Sequence, residues 1–273
     1  MRVTCVIDNC VARSSSLWGE HGLAMLITTN EGTLLWDTGG SGDVLVHNLR
    51  ELGVPVAAID AVALSHAHYD HTGGLAAVLE RSPGIAVHLH PAAFEPRYSR
   101  RPGRRGDIGL GLSEEDLSVS AALQRHVEPF EIFGGIYVTG AVQPRPYPPG
   151  ASAHHRIVRD GRELPDPYAD DMSLVLDTPE GVVLVCGCCH AGLRNTLAFV
   201  RAHWDGPIRA VLGGTHLATA EDEELNAVAR ALEALGPPEM YLNHCTGEKA
   251  IARLERAWPD RVHPMPAGTE VTF

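Results

Sequence analysis

Short apolar runs alternate with amphipathic stretches along the whole chain, a pattern that predicts strands and helices in mixed order. The predicted strands are residues 3–7, 23–28, 33–36, 61–64, 85–89, 136–139, 173–177, 182–186, 208–212, 240–242 and 270–273, and the predicted helices are residues 44–52, 75–81, 113–126, 193–203, 221–235 and 248–257. Turn signals at residues 30–32 and 178–181 join neighbouring strands into hairpins. Hairpins combined with crossovers through helices predict sheets covered by helices in layers, an α/β (α+β) architecture.

Two stretches, residues 95–112 and 141–170, interrupt this alternation; the first is rich in arginine and glycine, the second in proline. Because each lies inside the alternation, we interpret the chain as a single domain over residues 1–273 with two inserted loops, which act either as binding loops or as ordinary solvated loops. Guanidinium groups match the geometry of phosphate, so the first loop is a candidate substrate-binding site for an anion. Its candidate residues are Arg100, Arg101, Arg104 and Arg105.

Composition restricts the partners of the protein. A net charge of −12 over 273 residues disfavours binding to nucleic acid or to an anionic membrane. No apolar run approaches the ~20 residues that span a bilayer, and the N-terminal stretch lacks the apolar core of a secretory signal. We therefore expect a cytoplasmic protein with free thiols that acts on a small molecule, and the oligomeric state is left open.

The strongest chemical signal is the run HAHYDH at residues 66–71, directly after the predicted strand 61–64. Imidazole is the commonest metal-ligating side chain, and the chain holds 15 histidines. In extended backbone His66 and His68 share a side, so both imidazoles can reach one metal ion. Asp70 and His71 follow as the chain turns into a helix, and they point toward a second metal ion. Polar groups crowded at a strand end are costly without a ligand, which favours a metal site.

Several segments together resemble the metallo-β-lactamase superfamily. TGGL follows the histidine run at residues 72–75, and DTG at residues 37–39 follows an earlier strand. Other segments resemble one subgroup, the 7,8-dihydropterin-6-methyl-4-(β-D-ribofuranosyl)aminobenzene-5′-phosphate synthase-like proteins: EHGL at 20–23, RYS at 97–99, DD at 170–171, CCHAG at 188–192, GGTHL at 213–217 and HCTG at 244–247. The resemblance implies a four-layer αββα sandwich with a metal site at one edge.

The resemblance also implies ligands at later strand ends. His190 lies between two glycines after the predicted strand 182–186, and His244 lies where the superfamily places its last metal-binding histidine. The expected ligands are His66, His68 and His190 for one ion and Asp70, His71 and His244 for a second. Many members carry a bridging aspartate where this chain has Cys188, which leaves a matched pair of ions open. Cys188 or Cys189 is either a thiolate ligand or a small buried apolar residue.

Two further residues belong to the candidate site. We expect Asp37 to accept a hydrogen bond from an imidazole and to orient it. His216, after the predicted strand 208–212, either binds a metal ion, shuttles protons or holds substrate, with an incidental histidine beside a helix start as the alternative. No role is assigned to His154 or His155.

The simplest interpretation is a hydrolase with one or two divalent metal ions, in which a metal-bound hydroxide attacks a small, phosphorylated molecule and Asp70 orients the water. Zinc suits a histidine-rich site, and manganese or iron are the alternatives. A second interpretation, implied by the subgroup, is a transferase that condenses a dihydropterin with a ribofuranosylaminobenzene phosphate. A third is a non-hydrolytic metal-binding or redox-sensing protein that uses Cys186, Cys188 and Cys189.

Overall fold

A computed structural model describes residues 1–101 and 103–273, which form three β-sheets and seven α-helices. The strands are β1 (Arg2–Ile7), β2 (Ala24–Thr28), β3 (Thr33–Trp36), β4 (Ala61–Ala63), β5 (Ala86–Leu89), β6 (Arg97–Arg101), β7 (Arg104–Asp107), β8 (Ala122–Arg125), β9 (Phe130–Phe133), β10 (Ile136–Val138), β11 (His155–Arg159), β12 (Arg162–Pro165), β13 (Ser173–Thr178), β14 (Gly181–Cys186), β15 (Ile208–Gly213), β16 (Glu239–Leu242), β17 (Val262–Pro264) and β18 (Glu270–Thr272). The helices are α1 (Gly42–Glu51), α2 (Tyr69–Thr72), α3 (Leu75–Arg81), α4 (Glu114–Ser120), α5 (Leu193–His203), α6 (Asp222–Ala234) and α7 (Glu248–Ala257). Among the described residues, no helix combines the length and apolar character that crossing a bilayer requires.

The first sheet has the strand order β18-β1-β2-β3-β4-β5-β8. Its first part is antiparallel, and β3, β4, β5 and β8 run parallel to one another. The outer face of this sheet packs against α1 through Leu45 and Leu49 and against α3 through Leu75 and Val78. These apolar positions recur at helical spacing in the sequence, which is why the two helices bury that face.

The second sheet has the order β17-β16-β15-β14-β13-β10-β9. Strands β14 to β17 run parallel, so their connections are helical crossovers. Helices α5, α6 and α7 cover the outer face of the sheet, with Leu197, Val228 and Leu254 buried in one shared core.

A separate core lies between the two seven-stranded sheets. Met25 and Trp36 from the first sheet pack there with Leu174, Val185 and Leu212 from the second. The order of layers is therefore helix, sheet, sheet, helix, which confirms the predicted four-layer αββα sandwich.

The two stretches predicted as irregular loops are in part regular, so that prediction is wrong for them. Hairpin β6–β7 from the first stretch pairs with hairpin β11–β12 from the second, giving a four-stranded antiparallel sheet of order β12-β11-β6-β7. Arg97 lies opposite Ile157 in the central pair, and both are buried. Most other positions of these strands are exposed, so the alternation that signals a strand is weak. We call this third sheet the insert sheet.

The predicted helix over residues 113–126 is also only half correct. Helix α4 ends at Ser120, and β8 then adds to the first sheet in parallel with β5. Pairing of the backbone at residues 122–125 with that sheet outweighs the helical pattern. The edge strands β9 and β17 were not predicted either, because short edge strands carry little periodicity.

Candidate metal centre

Polar side chains gather at one edge of the sandwich, where parallel strands of both sheets end. Strands β3 and β4 run parallel, as do β14, β15 and β16. Side chains that follow the carboxyl ends of parallel strands meet at the same edge of a sheet. The residues after these strands are Asp37 (β3), residues 65–71 (β4), Cys188 and His190 (β14), His216 (β15) and His244 (β16). The structure thus brings together the histidines and aspartates predicted for the site.

Three imidazoles form the most buried part of the cluster. Ligand nitrogens of His66, His68 and His190 all lie within 4.8 Å of one another. The Nδ1 atom of His190 bonds the Gly150 carbonyl oxygen at 2.7 Å, which turns its Nε2 atom inward. The Nε2 atoms of His68 and His190 are buried and have no hydrogen-bond partner among the described residues. Buried polar atoms are rarely left unpaired, so these two nitrogens fit a bound cation.

Asp70 is the centre of a second group. Its Oδ2 atom lies 3.3 Å from His21 Nε2, 3.5 Å from His244 Nε2 and 3.7 Å from His71 Nε2. One ligand atom each from His21, Asp70 and His244 lies within 4.8 Å of the other two. His21 was not predicted as a site residue, although its segment EHGL carries part of the family resemblance.

The fully buried carboxylate of Asp37 contacts the residue before the histidine run, Ser65, and the last residue of the run, His71. It accepts hydrogen bonds from the Ser65 backbone nitrogen at 2.7 Å and the Ser65 hydroxyl at 2.8 Å, and its Oδ2 atom lies 2.7 Å from His71 Nδ1. The last contact turns His71 Nε2 toward the cluster, as carboxylates do behind metal-binding imidazoles. Gly187 makes room for this arrangement, since a Cβ atom there would lie 2.1 Å from the Ser65 hydroxyl oxygen.

Of the three clustered cysteines, Cys188 faces the site, and Cys186 and Cys189 lie in the core beneath α5. Cys188 Sγ lies 3.2 Å from His71 Nε2 and faces the cluster. Cys189 Sγ instead contacts the Thr196 hydroxyl at 3.3 Å, and Cys186 Sγ contacts Ser173, both away from the site.

His216 enters the cluster from the end of β15. Its ring centroid lies 4.3 Å from that of His190, and its Nδ1 atom is buried with no hydrogen-bond partner among the described residues. Its backbone nitrogen donates to Cys245 Sγ at 3.3 Å, and its φ of 51° is in the left-handed region. The ring is therefore held at the site by a constrained turn.

Burial controls the charge of the three-imidazole group. Removal from water lowers the pKa of His66, His68 and His190 well below the ordinary value. Neighbouring imidazoles lower it further, and Asp70, which raises the pKa of His68, does not offset the effect of burial. All three are consequently neutral near pH 7, which is the protonation state that binds a metal ion.

The acidic half of the site behaves in the opposite way. Burial alone would raise the pKa of Asp70, but His71 and His244 outweigh it and hold that pKa well below its usual range. Burial alone would lower the pKa of His71, but Asp37 and Asp70 raise it to about 9. Asp70 is thus an anion that attracts cations to this side of the cluster.

The metal-free protein should lose stability as the pH falls from about 7 to about 5. His66, His68 and His190 take up protons at their ordinary pKa of 6.5 when unfolded but stay neutral when folded, so their contribution is present above pH 6.5 and lost below it. Each steepens the decline by up to ~1.4 kcal/mol per pH unit. Burial also lowers the pKa of His88, His90, His126 and His155, which adds to the decline. Asp8, Asp170 and Asp171 oppose it, because burial raises their pKa, to about 6 for Asp171. The contribution of His71 is lost only as the pH rises through about 9. Urea titrations at several pH values between about 5 and about 7 measure how the free energy of unfolding changes with pH. A free energy that stays constant over this range would contradict the neutral state assigned to the three imidazoles.

The second inserted segment adds an aromatic residue that the sequence did not reveal. Buried Tyr168 stacks on His190, with ring centroids 4.2 Å apart and planes 9° from parallel. Its hydroxyl bonds His155 Nδ1 at 3.0 Å, and the His155 ring centroid lies 5.0 Å from that of His68. His155 therefore belongs to the wall of the site, although no role was assigned to it.

Arg97 connects the insert sheet to the histidine run. This arginine is 1% exposed and pairs with Asp166 at 3.1 Å and with Asp170 at 2.7 Å. Asp170 in turn accepts a hydrogen bond from the backbone nitrogen of Ala67, between the first two histidines, at 2.8 Å. A buried ion network thus fixes the backbone that carries the predicted ligands.

The arginines predicted to bind an anion lie on hairpin β6–β7 and differ in their contacts. Arg100 pairs with Glu163 at 3.2 Å, and the Arg105 guanidinium lies 3.6 Å from the centre of the Tyr98 ring. Arg101 is exposed, and its charge contributes to lowering the pKa of His155. The side chain of Arg104 lies outside the described part of the structure.

Comparison with known proteins agrees with this geometry. The sequence model of the Metallo-beta-lactamase superfamily matches residues 17–190, which include the histidine run and His190. The 7,8-dihydropterin-6-methyl-4-(beta-D-ribofuranosyl)-aminobenzene-5'-phosphate synthase of Methanocaldococcus jannaschii is 25% identical over 284 residues, covering 100% of this chain and 97% of the relative. An uncharacterized protein of the same organism is 31% identical over 258 residues, covering 93% of this chain and 94% of its own length.

A solved structure shares the whole architecture. The crystal structure of Tm1679, a metal-dependent hydrolase of the beta-lactamase superfamily, has a TM-score of 0.87 and 28% sequence identity to this chain. The match covers 100% of this chain and 99% of the other. Sequence, fold and site geometry lead to one conclusion: the chain belongs to the metallo-β-lactamase superfamily.

Proposed function

We propose that the protein is a metal-dependent hydrolase of a small phosphorylated molecule in the cytoplasm. The observation that carries this proposal is the group of three buried, neutral imidazoles, two of them with unpaired Nε2 atoms within the described residues, beside the anionic Asp70. Such a donor set favours zinc, and manganese and iron are the alternatives to be tested. The similarity to a structure named as a metal-dependent hydrolase supports the same reaction class.

Each residue of the cluster has a defined task in this proposal. The proposed ligands are His66, His68 and His190 for one cation and Asp70, His71 and His244 for a second. When bound, the cations lower the pKa of water toward ~7 and polarise the bond that breaks. Asp70 accepts a hydrogen bond from the attacking water and orients it, while Asp37 keeps the His71 ring in place. His216, beside His190 and with an unpaired Nδ1, passes a proton to the departing oxygen.

The substrate class follows from charge. A protein with a net charge of −12 repels nucleic acid, whereas exposed arginines on the insert sheet offer a local site for a phosphate group. Among the predicted arginines whose side chains the structure describes, Arg101 is the candidate for this contact, because Arg100 is paired and Arg105 is stacked. Arg101 also acts electrostatically on His155, which lies beside His68 in the wall of the site.

Replacing Arg101 by Gln should raise KM for a phosphorylated substrate by about 10- to 100-fold, because one charge-assisted hydrogen bond to the phosphate is lost. Arg100→Gln is the matched control: its guanidinium is already paired with Glu163, so its KM should change by less than about threefold. Initial-rate kinetics measure both values. Equal KM values for the two variants would remove Arg101 from the substrate site.

A second function is favoured by one finding, the 25% identity over the full chain to a pterin-related synthase. Incubation of the metal-loaded protein with aryl phosphodiesters and esters, and separately with a dihydropterin plus a ribofuranosylaminobenzene phosphate, distinguishes the two. Release of the aryl alcohol supports the hydrolase. A product that forms only when both partners are present supports the synthase. Activity that persists unchanged after complete metal removal would contradict both.

A further inference from the structure

Two sulfur atoms border the position proposed for the second cation. Cys188 follows β14, and Cys245 lies in the short 3-10 helix His244–Thr246 that follows β16. The sulfur atoms of Cys188 and Cys245 and a ring nitrogen of His244 all lie within 4.8 Å of one another. Cys188 Sγ also lies 3.2 Å from His71 Nε2, so the thiols adjoin the Asp70 side of the cluster.

The backbone is shaped to hold the Cys245 sulfur in this place. Cys245 Sγ accepts a hydrogen bond from the His216 backbone nitrogen at 3.3 Å and lies 3.6 Å from the Cys188 carbonyl oxygen. A Cβ atom at Gly214 would lie 2.6 Å from this sulfur, so only glycine leaves room for it. His244 precedes it with a φ of 49°, in the left-handed region.

His244 supplies an independent sign of a missing ligand. Its Nδ1 atom bonds Asn9 Oδ1 at 3.1 Å, and its backbone nitrogen donates to Asp8 at 2.8 Å. With the ring fixed in this way, the Nε2 atom points inward, where it is buried and makes no hydrogen bond of good geometry among the described residues. Its side chain is 1% exposed, so water cannot satisfy this nitrogen from outside.

We propose that the second cation, for which Asp70, His71 and His244 are the ligands proposed above, also takes the sulfur atoms of Cys188 and Cys245, which makes the site a mixed thiolate, imidazole and carboxylate site. This inference rests on the proposed metal-dependent function and specifies its cofactor class. Sulfur and imidazole ligands select thiophilic cations of the zinc type over manganese and magnesium, which prefer oxygen. Both sulfur atoms bind as thiolates: any proton that a sulfur still carries passes to solvent, and each sulfur donates an electron pair to the cation.

The chain contains its own matched controls. Cys189 is equally buried and adjacent to Cys188, but its sulfur contacts Thr196 inside the packing of α5. Cys10 is exposed, and its sulfur makes no hydrogen bond within the described residues. Neither sulfur should respond to metal.

Cobalt(II) titration of the full chain tests this site directly, because a thiolate bound to cobalt gives an intense charge-transfer absorption in the near ultraviolet. Wild type and Cys189→Ser should both develop this band on binding cobalt. Cys188→Ser and Cys245→Ser should each lose about half of it, and should bind zinc at the second position more than about tenfold more weakly. A band that is unchanged in both variants, or absent from wild-type protein that has bound two cobalt ions, would overturn the proposal and leave the hydrolase intact.

A measurement on wild-type protein covers the case in which a variant does not fold. Zinc should protect one thiol, the partly exposed Cys245, from a disulfide reagent under native conditions, while the exposed Cys10 stays reactive. If zinc binds without protecting any thiol, the thiolate site is contradicted, but the proposed metal-dependent function is not. Failure of wild-type protein to bind cobalt or zinc at all would instead contradict the proposed metal-dependent function, and this site with it.

Discussion

The double variant His66→Ala/His68→Ala should lose the first cation and more than about 100-fold of its turnover, since even the residues behind metal ligands are worth 10- to 100-fold. The double variant removes two of the three imidazoles of this group and leaves only His190 to bind the cation. Elemental analysis after dialysis against zinc gives the metal content, and initial rates give the turnover.

The appropriate control is His203→Ala, which removes an exposed imidazole at the end of α5. Its metal content and rate should equal those of wild type. Circular dichroism separates loss of metal from loss of fold, because two truncated polar side chains in a pre-formed loop should leave the secondary structure intact. A double variant with the full wild-type metal content would show that the histidine run is not the metal site.

Replacing Arg97 by Met should lower the free energy of unfolding by about 3–5 kcal/mol, the cost of leaving buried charges without their partner. Asp166 and Asp170 are both buried and both pair with this guanidinium. Burial already raises the pKa of Asp170, and Arg97 is the group that most opposes the rise. Without the arginine, Asp170 should take up a proton near neutral pH or the network should open.

Urea denaturation of Arg97→Met beside Arg100→Met measures this effect with a matched control. Arg100 makes an exposed ion pair with Glu163, so its loss should change stability by no more than ~1 kcal/mol. Zinc affinity should also fall in Arg97→Met, because Asp170 holds the Ala67 backbone nitrogen between two proposed ligands. Equal stabilities of the two variants would mean that the buried network contributes nothing to folding.

Local sequence patterns were sufficient to predict the site residues that lie close together in the chain or directly after a strand. The HAHYDH run follows a buried strand, so its four polar side chains had to emerge at one sheet edge. Asp37 follows the adjacent strand β3, which places it behind His71. The four-layer order followed from hairpins, crossovers and the family resemblance together.

Contacts between segments that are distant in the sequence could not be predicted from local patterns. The insert sheet depends on pairing of β6 with β11, and their mostly exposed residues give no strand periodicity. Arg97 looks like one of several arginines in a polar loop until Asp166 and Asp170 are placed beside it. Its segment RYS, like HCTG around Cys245, was part of the family resemblance, but resemblance alone assigned neither residue a role.

Because the insert sheet is assembled from two separate hairpins, the substrate preference proposed for it can diverge only if both hairpins change together. Grafting β6–β7 alone from a relative would leave β11 with a foreign partner along its backbone hydrogen bonds, and grafting β11–β12 alone would do the same to β6. Residues 97–107 and 155–165 therefore have to be exchanged together, with Arg97 and its acidic partners as part of the same cassette. Directed evolution toward new substrates should accordingly favour libraries that randomise both hairpins at once.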